Sequence, residues 1–107
     1  MVKIPTRLAF ILAFATTIEL CHAQAVGDPE EGLTLAQQVC SQCHATTAGL
    51  VQSPNSRAPS FPALAITPGM TRTALLVALT TPHVGMPMFT FTGEQRDDLI
   101  AYILSLK

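Results

Sequence analysis

Cys40-Ser41-Gln42-Cys43-His44 is the segment whose residue types can do chemistry together. Two thiols about one helical turn apart can each add across one vinyl group of a haem, and the adjoining imidazole can reach the iron from the same side. Two other chemistries use the same side chains. A zinc site would draw on Cys40, Cys43, His44 and His83, but neighbours at 43 and 44 project about 100° apart on a helix and converge poorly on one ion. A vicinal redox disulfide would follow a strand and open a helix, and no strand pattern precedes Cys40. Haem attachment is the chemistry these residues favour.

A second segment, Pro82-His83-Val84-Gly85-Met86-Pro87-Met88-Phe89, offers the opposite face of such an iron its ligand. A methionine thioether is a soft donor that favours reduced iron, so a His/Met pair raises the reduction potential and closes the iron to substrates. In extended chain Met86 and Met88 face the same way, and spacing alone does not separate them. Gly85 before Met86 lets the backbone come close to a cofactor, and Pro87 after it holds the chain extended. His83 is a third candidate, read first as a surface neighbour. Met70, after Pro68-Gly69, reads as core filler.

These groups must be held by short elements. Asp28-Pro29-Glu30-Glu31 predicts a helix start, with Asp28 as N-cap, Pro29 in the first turn and acids at the positive end of the dipole. That helix is expected to run to about Gln42, with Ala36, Val39, Cys40 and Cys43 on one buried stripe. From Ala45 to Gly69 four prolines, two glycines and many Ser and Thr exclude a long helix or a central strand. So long an irregular segment is uncommon unless it wraps something. Thr71–Thr80 predicts a short helix capped by Thr71 and stopped before Pro82. Thr92-Gly93-Glu94-Gln95 is a capping box that opens a last helix, with Leu99, Tyr102, Ile103 and Leu106 inward and Arg96, Asp97 and Asp98 pointing away. With no repeats or convincing strands, the class is all-α.

Composition bounds what such a chain does. It has 107 residues, 49% hydrophobic and 12% charged, which is one domain. Six Lys and Arg against seven Asp and Glu include no basic run, so nucleic acid is not an expected partner. Lys3 and Arg7, the apolar Leu8–Ala15 and a polar stretch to Ala23 read as a secretory signal peptide over 1–23, cleaved after Ala23 or Ala25. The apolar run is too short for a permanent membrane anchor, which needs roughly 18 or more apolar residues. Cys21 is discarded with the signal, because Leu20 stands where a lipidated cysteine requires a small residue. The expected domain, 24–107, carries Arg57, Arg72, Arg96 and Lys107 against six acids, a charge of −2. A chain this short buries only about 60% of its unfolded surface and needs a staple.

The Cys-x-x-Cys-His segment, the first helix with Gly32 upstream of it, the Ala101-Tyr102-Ile103 segment of the last helix, Ala58-Pro59-Ser60-Phe61 and Met86-Pro87-Met88-Phe89 together resemble the class I c-type cytochromes. The resemblance covers nearly the whole mature chain. It implies a cytochrome c fold, three to four short helices around one covalent haem c held by Cys40 and Cys43. It further implies that His44 and Met86 ligate the iron and that Pro59, here preceded by Ala58 where the family has glycine, accepts the His44 Nδ1–H. Only 42 positions separate His44 from Met86, as in short bacterial members.

Phe61, Leu64, Ile66, Leu75, Leu79, Phe89 and Phe91 are expected to line the crevice. Arg57 and Arg72 could neutralise haem propionates or lie on the surface. The expectation is a periplasmic one-electron carrier with redox protein partners and no enzyme activity of its own, a monomer or a small subunit of a redox complex. The same site would serve as the electron-accepting subunit of a periplasmic dehydrogenase or oxidase. An open-iron sensor or peroxidase would follow if Met86 did not bind.

Overall fold

The computed structural model describes residues 26–107, so the signal peptide expected over 1–23, its cleavage sites and Cys21 lie outside the described residues. Four α-helices follow one another, and no strand forms among the described residues. Helix α1, Pro29–Leu35, starts where the Asp28 side chain accepts from the Glu30 N–H at 2.8 Å. The chain then widens. Over Ala36–Cys40 the turn is a π-helix, closed by Ser41 N–H to Ala36 C=O at 3.1 Å. One regular helix to Gln42 was expected; the extra residue in this turn rotates the side chains beyond it. Ala36 and Cys40 are buried, whereas Val39 and Cys43 are half-buried. Single π turns of this kind recur at functional sites.

Helix α2, Phe61–Ala65, lies inside the proline-rich stretch read as irregular. Ser60 caps it by accepting from Ala63 N–H at 3.2 Å, and Pro62 sits in the first turn, where its missing N–H costs nothing. Helix α3, Arg72–Thr80, has Thr71 as N-cap, accepting from Ala74 N–H at 3.1 Å. Helix α4, Gly93–Ser105, opens with the expected reciprocal capping box between Thr92 and Gln95, at 3.0 and 3.1 Å.

The core sits where α1 and α4 cross, with Ala36, Leu99 and Ile100 fully buried and Phe61, Leu75, Tyr102 and Ile103 around them. Gly32 lets the two backbones touch. A Cβ there would strike the Asp98 carbonyl and lie 2.7 Å from Tyr102 Cβ. Contrary to the expectation, the polar side of α4 does not point away. Asp98 accepts the Asp28 N–H at 2.7 Å, Asp97 pairs with Arg72, and Arg96 donates to the Phe91 carbonyl at 3.1 Å. Each of the three is half-buried, because each ties the start of α4 to another segment.

Candidate cofactor site

Cys40 ends the π turn, and the turn after it is fixed by Cys43 N–H and His44 N–H, which both donate to the Cys40 carbonyl at 3.2 and 2.9 Å. The following wrap is bound back onto this turn. Asn55 N–H donates to Cys43 C=O at 3.1 Å, Ser53 Oγ accepts from Ala45 N–H at 3.0 Å, and Phe61 N–H donates to Ala45 C=O at 2.9 Å. Pro59 is thereby carried to His44, whose Nδ1 lies 2.7 Å from the Pro59 carbonyl oxygen. A carbonyl can only accept, so Nδ1 carries the proton and Nε2 keeps its lone pair. Phe61 packs against the imidazole, ring centroids 5.4 Å apart.

Both cysteines are free thiols, and burial pushes the Cys40 thiol up to about 11. Redox-active Cys-x-x-Cys pairs do the reverse, lowering one thiol to make a thiolate, so this thiol is unsuited to disulfide exchange. The zinc reading needs Cys40, Cys43, His44 and His83 in one group. Among the described residues no three His, Cys, Asp or Glu side chains are grouped to hold a metal ion.

The thiols and His44 open onto a cavity of about 360 Å³. Its walls are apolar: Val39, Phe61, Leu64, Leu75, Leu79 and Phe89 line it, with Leu99 and Ile103 from α4 at its base. Ile66 and Phe91, also expected there, are not on the wall. Ile66 is 70% exposed, beyond the end of α2, and Phe91 stacks on Phe89 from behind at 5.7 Å between centroids. Arg57 is the one formally charged side chain on the lining, while Arg72 turns away to Asp97 and the Val26 carbonyl. Asn55, which no sequence signal singles out, also lines the wall, and its Oδ1 accepts the Arg57 N–H at 3.0 Å. Met70, expected as core filler, packs on the core and reaches the wall as well. Asn55 stands one residue after Pro54 in a turn, a signal for local structure and not for a cofactor wall.

The opposite rim is the turn His83-Val84-Gly85-Met86, where Gly85 adopts φ +86°. That left-handed conformation, which favours glycine, accounts for Gly85. Met86 is half-buried on the cavity, and Met88, two residues on, is absent from its lining and 54% exposed. His83 also lines the cavity, with Nδ1 3.1 Å from the Thr81 carbonyl.

Two thiols, a nitrogen lone pair and a thioether on an apolar wall are the donor set that a covalent haem takes, and the volume is within the range of cofactor sites, roughly 300–1,000 Å³. The residues present fit that group. No curated protein and no solved structure matches the chain. Its residues 27–103, nearly all of the described structure, match the family model for cytochrome c oxidase, cbb3-type, subunit III. The chain therefore belongs to that family, as a class I-like c-type cytochrome domain with covalent haem c as cofactor and electron transfer as its chemistry.

Proposed function

We propose that the protein is a periplasmic carrier of single electrons, its haem c held by thioethers from Cys40 and Cys43 and ligated by His44 and Met86. The observation that carries this reading is the gathering of both thiols, the free Nε2 side of His44 and Met86 on one cavity that Met88 does not reach. Haem c, when bound, supplies an iron that takes up and releases one electron. The chain's own residues do the rest. Pro59 fixes the tautomer and orientation of His44 through its carbonyl, which raises the basicity of Nε2. Phe61, Leu75 and Leu79 exclude water, and no carboxylate lines the wall. Met86 closes the side facing the α3–α4 loop, which leaves no position for a substrate and makes the protein a carrier and not an enzyme.

The partners are redox proteins that meet an uncharged surface. From Thr73 to Gly93 no Asp, Glu, Lys or Arg occurs, and this stretch exposes Leu76, Val77, Val84 and Met88, of which Val84 lines the cavity. All six acids of the domain lie on the starts of α1 and α4. Docking then rests on desolvation, with little steering. The same patch favours a second reading, an electron-accepting subunit seated permanently on a larger redox protein, because exposed apolar patches mark interaction sites. Co-purification with a large subunit separates a subunit from a free carrier. No helix of the described residues is long and apolar enough to cross a membrane.

Intact mass after denaturation and the optical spectrum test the reading. The mature chain is expected to carry one haem in excess mass, and the ferric protein a sulfur-to-iron band that Met86→Ala removes while Met88→Ala and Met70→Leu keep it. Carbon monoxide binding to the reduced wild type at neutral pH would overturn Met86 ligation and favour the open-iron sensor.

A further inference from the structure

Two histidines face the cavity, and they are held in the same way. His44 Nδ1 lies 2.7 Å from the Pro59 carbonyl, and His83 Nδ1 lies 3.1 Å from the Thr81 carbonyl. In each case the acceptor can only accept, so Nδ1 donates, and in the neutral ring Nε2 then presents its lone pair, the tautomer of an imidazole that binds a metal. A surface histidine needs no such tautomer, and His83 is exposed as a residue while contributing to the cavity wall.

The backbone sets His83 beside Met86. The two are paired as an antiparallel bridge across the turn, with Met86 N–H donating to His83 C=O at 3.4 Å. Residues directly opposite in such a pair project to the same face, with Cβ atoms about 4.5–5.5 Å apart. Two candidate donors of different softness, a thioether and an imidazole, thus share one turn whose hinge is a glycine at φ +86°. Few other bonds hold that turn. Between Thr81 and Thr92 the described residues show only this long bond and that of His83 itself, apart from the Arg96 side chain reaching Phe91.

We propose that His83 is a reserve axial ligand: when the Met86 sulfur leaves the iron, the His83 Nε2 takes its place by a small rotation of the turn. The exchange is favoured in the oxidised protein, since a nitrogen donor suits ferric iron better than a soft thioether does. No bond to carbon breaks, and in the neutral ring with Nδ1 as donor, Nε2 binds without losing a proton. The proposal rests on the reading of Met86 as the sulfur ligand.

The test uses ferric holoprotein of the wild type, Met86→Ala, His83→Ala and the double variant, read by optical and electron paramagnetic resonance spectra. Met86→Ala is expected to lose the sulfur band yet remain low-spin with two nitrogen ligands, and the double variant to become high-spin and bind added imidazole. His83→Ala alone is expected to keep the band. A Met86→Ala protein that is high-spin and indistinguishable from the double variant would overturn the reserve ligand and leave the Met86 reading standing. A band that survives Met86→Ala would overturn that reading, and the exchange with it.

Discussion

The two sides of the cavity are built to different standards of rigidity. On the Cys40–His44 side, six hydrogen bonds of 2.7–3.2 Å lock the thiol turn and its wrap, and Tyr102 OH donates to the Thr46 carbonyl at 2.5 Å from the far end of α4. On the Met86 side the rim is a turn with one long backbone bond and mostly exposed residues. The difference follows the chemistry each side is proposed to perform. Covalent attachment and the His44 orientation tolerate no play, while a thioether on a loop needs only to reach, and local stability is free to vary between segments.

Removing the cofactor breaks the comparison most severely, because both sides then lose the plate they cover. A Cys40→Ala, Cys43→Ala apo-protein is expected to be largely unfolded or molten, with far-UV helix signal reduced and no cooperative thermal transition near that of the holoprotein. Next comes the crossing that supports the rigid side. Gly32→Ala drives a methyl into the Asp98 carbonyl, which is backbone and cannot give, so α1 and α4 must separate. We expect a loss of about 3 kcal/mol, read by denaturant titration. A wild-type midpoint in that variant would mean that the helices do not meet at Gly32.

Tyr102→Phe is a smaller break of the same side. It strands the carbonyl of the buried Thr46, which costs about 1–3 kcal/mol. It carries a pH signature as well. Burial raises the Tyr102 phenol above its ordinary value of 10.0, so the folded state holds that proton more tightly than the unfolded chain. The stability this supplies is complete below about pH 10 and is lost as pH rises through the folded value. Wild type is therefore expected to lose stability more steeply above pH 10 than Tyr102→Phe, and parallel alkaline slopes would count against it.

What could be read in the sequence was whatever depends on near neighbours. The Asp28, Thr71 and Thr92 caps were legible because a cap is decided within three residues, and so was the all-α class. Cys-x-x-Cys-His carried the cofactor, as the family match bears out. Helix α2 was missed because Pro59 and Pro62 mask a start that Ser60 alone signals. The π turn was invisible, since Ala36 to Cys40 satisfies a regular helical stripe equally well. Asp97 and Asp98 read as solvated acids because their partners, Arg72 and Asp28, lie 25 and 70 positions away. Spacing does not separate Met86 from Met88, and what distinguishes them in the fold is the cavity wall, which Met86 reaches and Met88 does not.

The smallest expected effect sharpens the comparison most. Met88 stands on the loosely held rim, two residues from the proposed ligand, and is 54% exposed, with no place on the cavity wall. Truncating it removes no buried contact, and surface changes of that kind stay within about 0.5 kcal/mol. Met88→Ala is therefore expected to keep the sulfur band, the potential and the unfolding midpoint. Where it should register is docking, because Met88 belongs to the uncharged stretch from Thr73 to Gly93. Electron transfer with the physiological partner is expected to slow modestly, and to do so equally at low and high salt, since no charge has been removed. A band lost in Met88→Ala would move the ligand two residues along the chain and make the exposed face of this loop its working face. A slowing that grows as salt is removed would mean that charges elsewhere steer the partner, and that the apolar rim is incidental to docking.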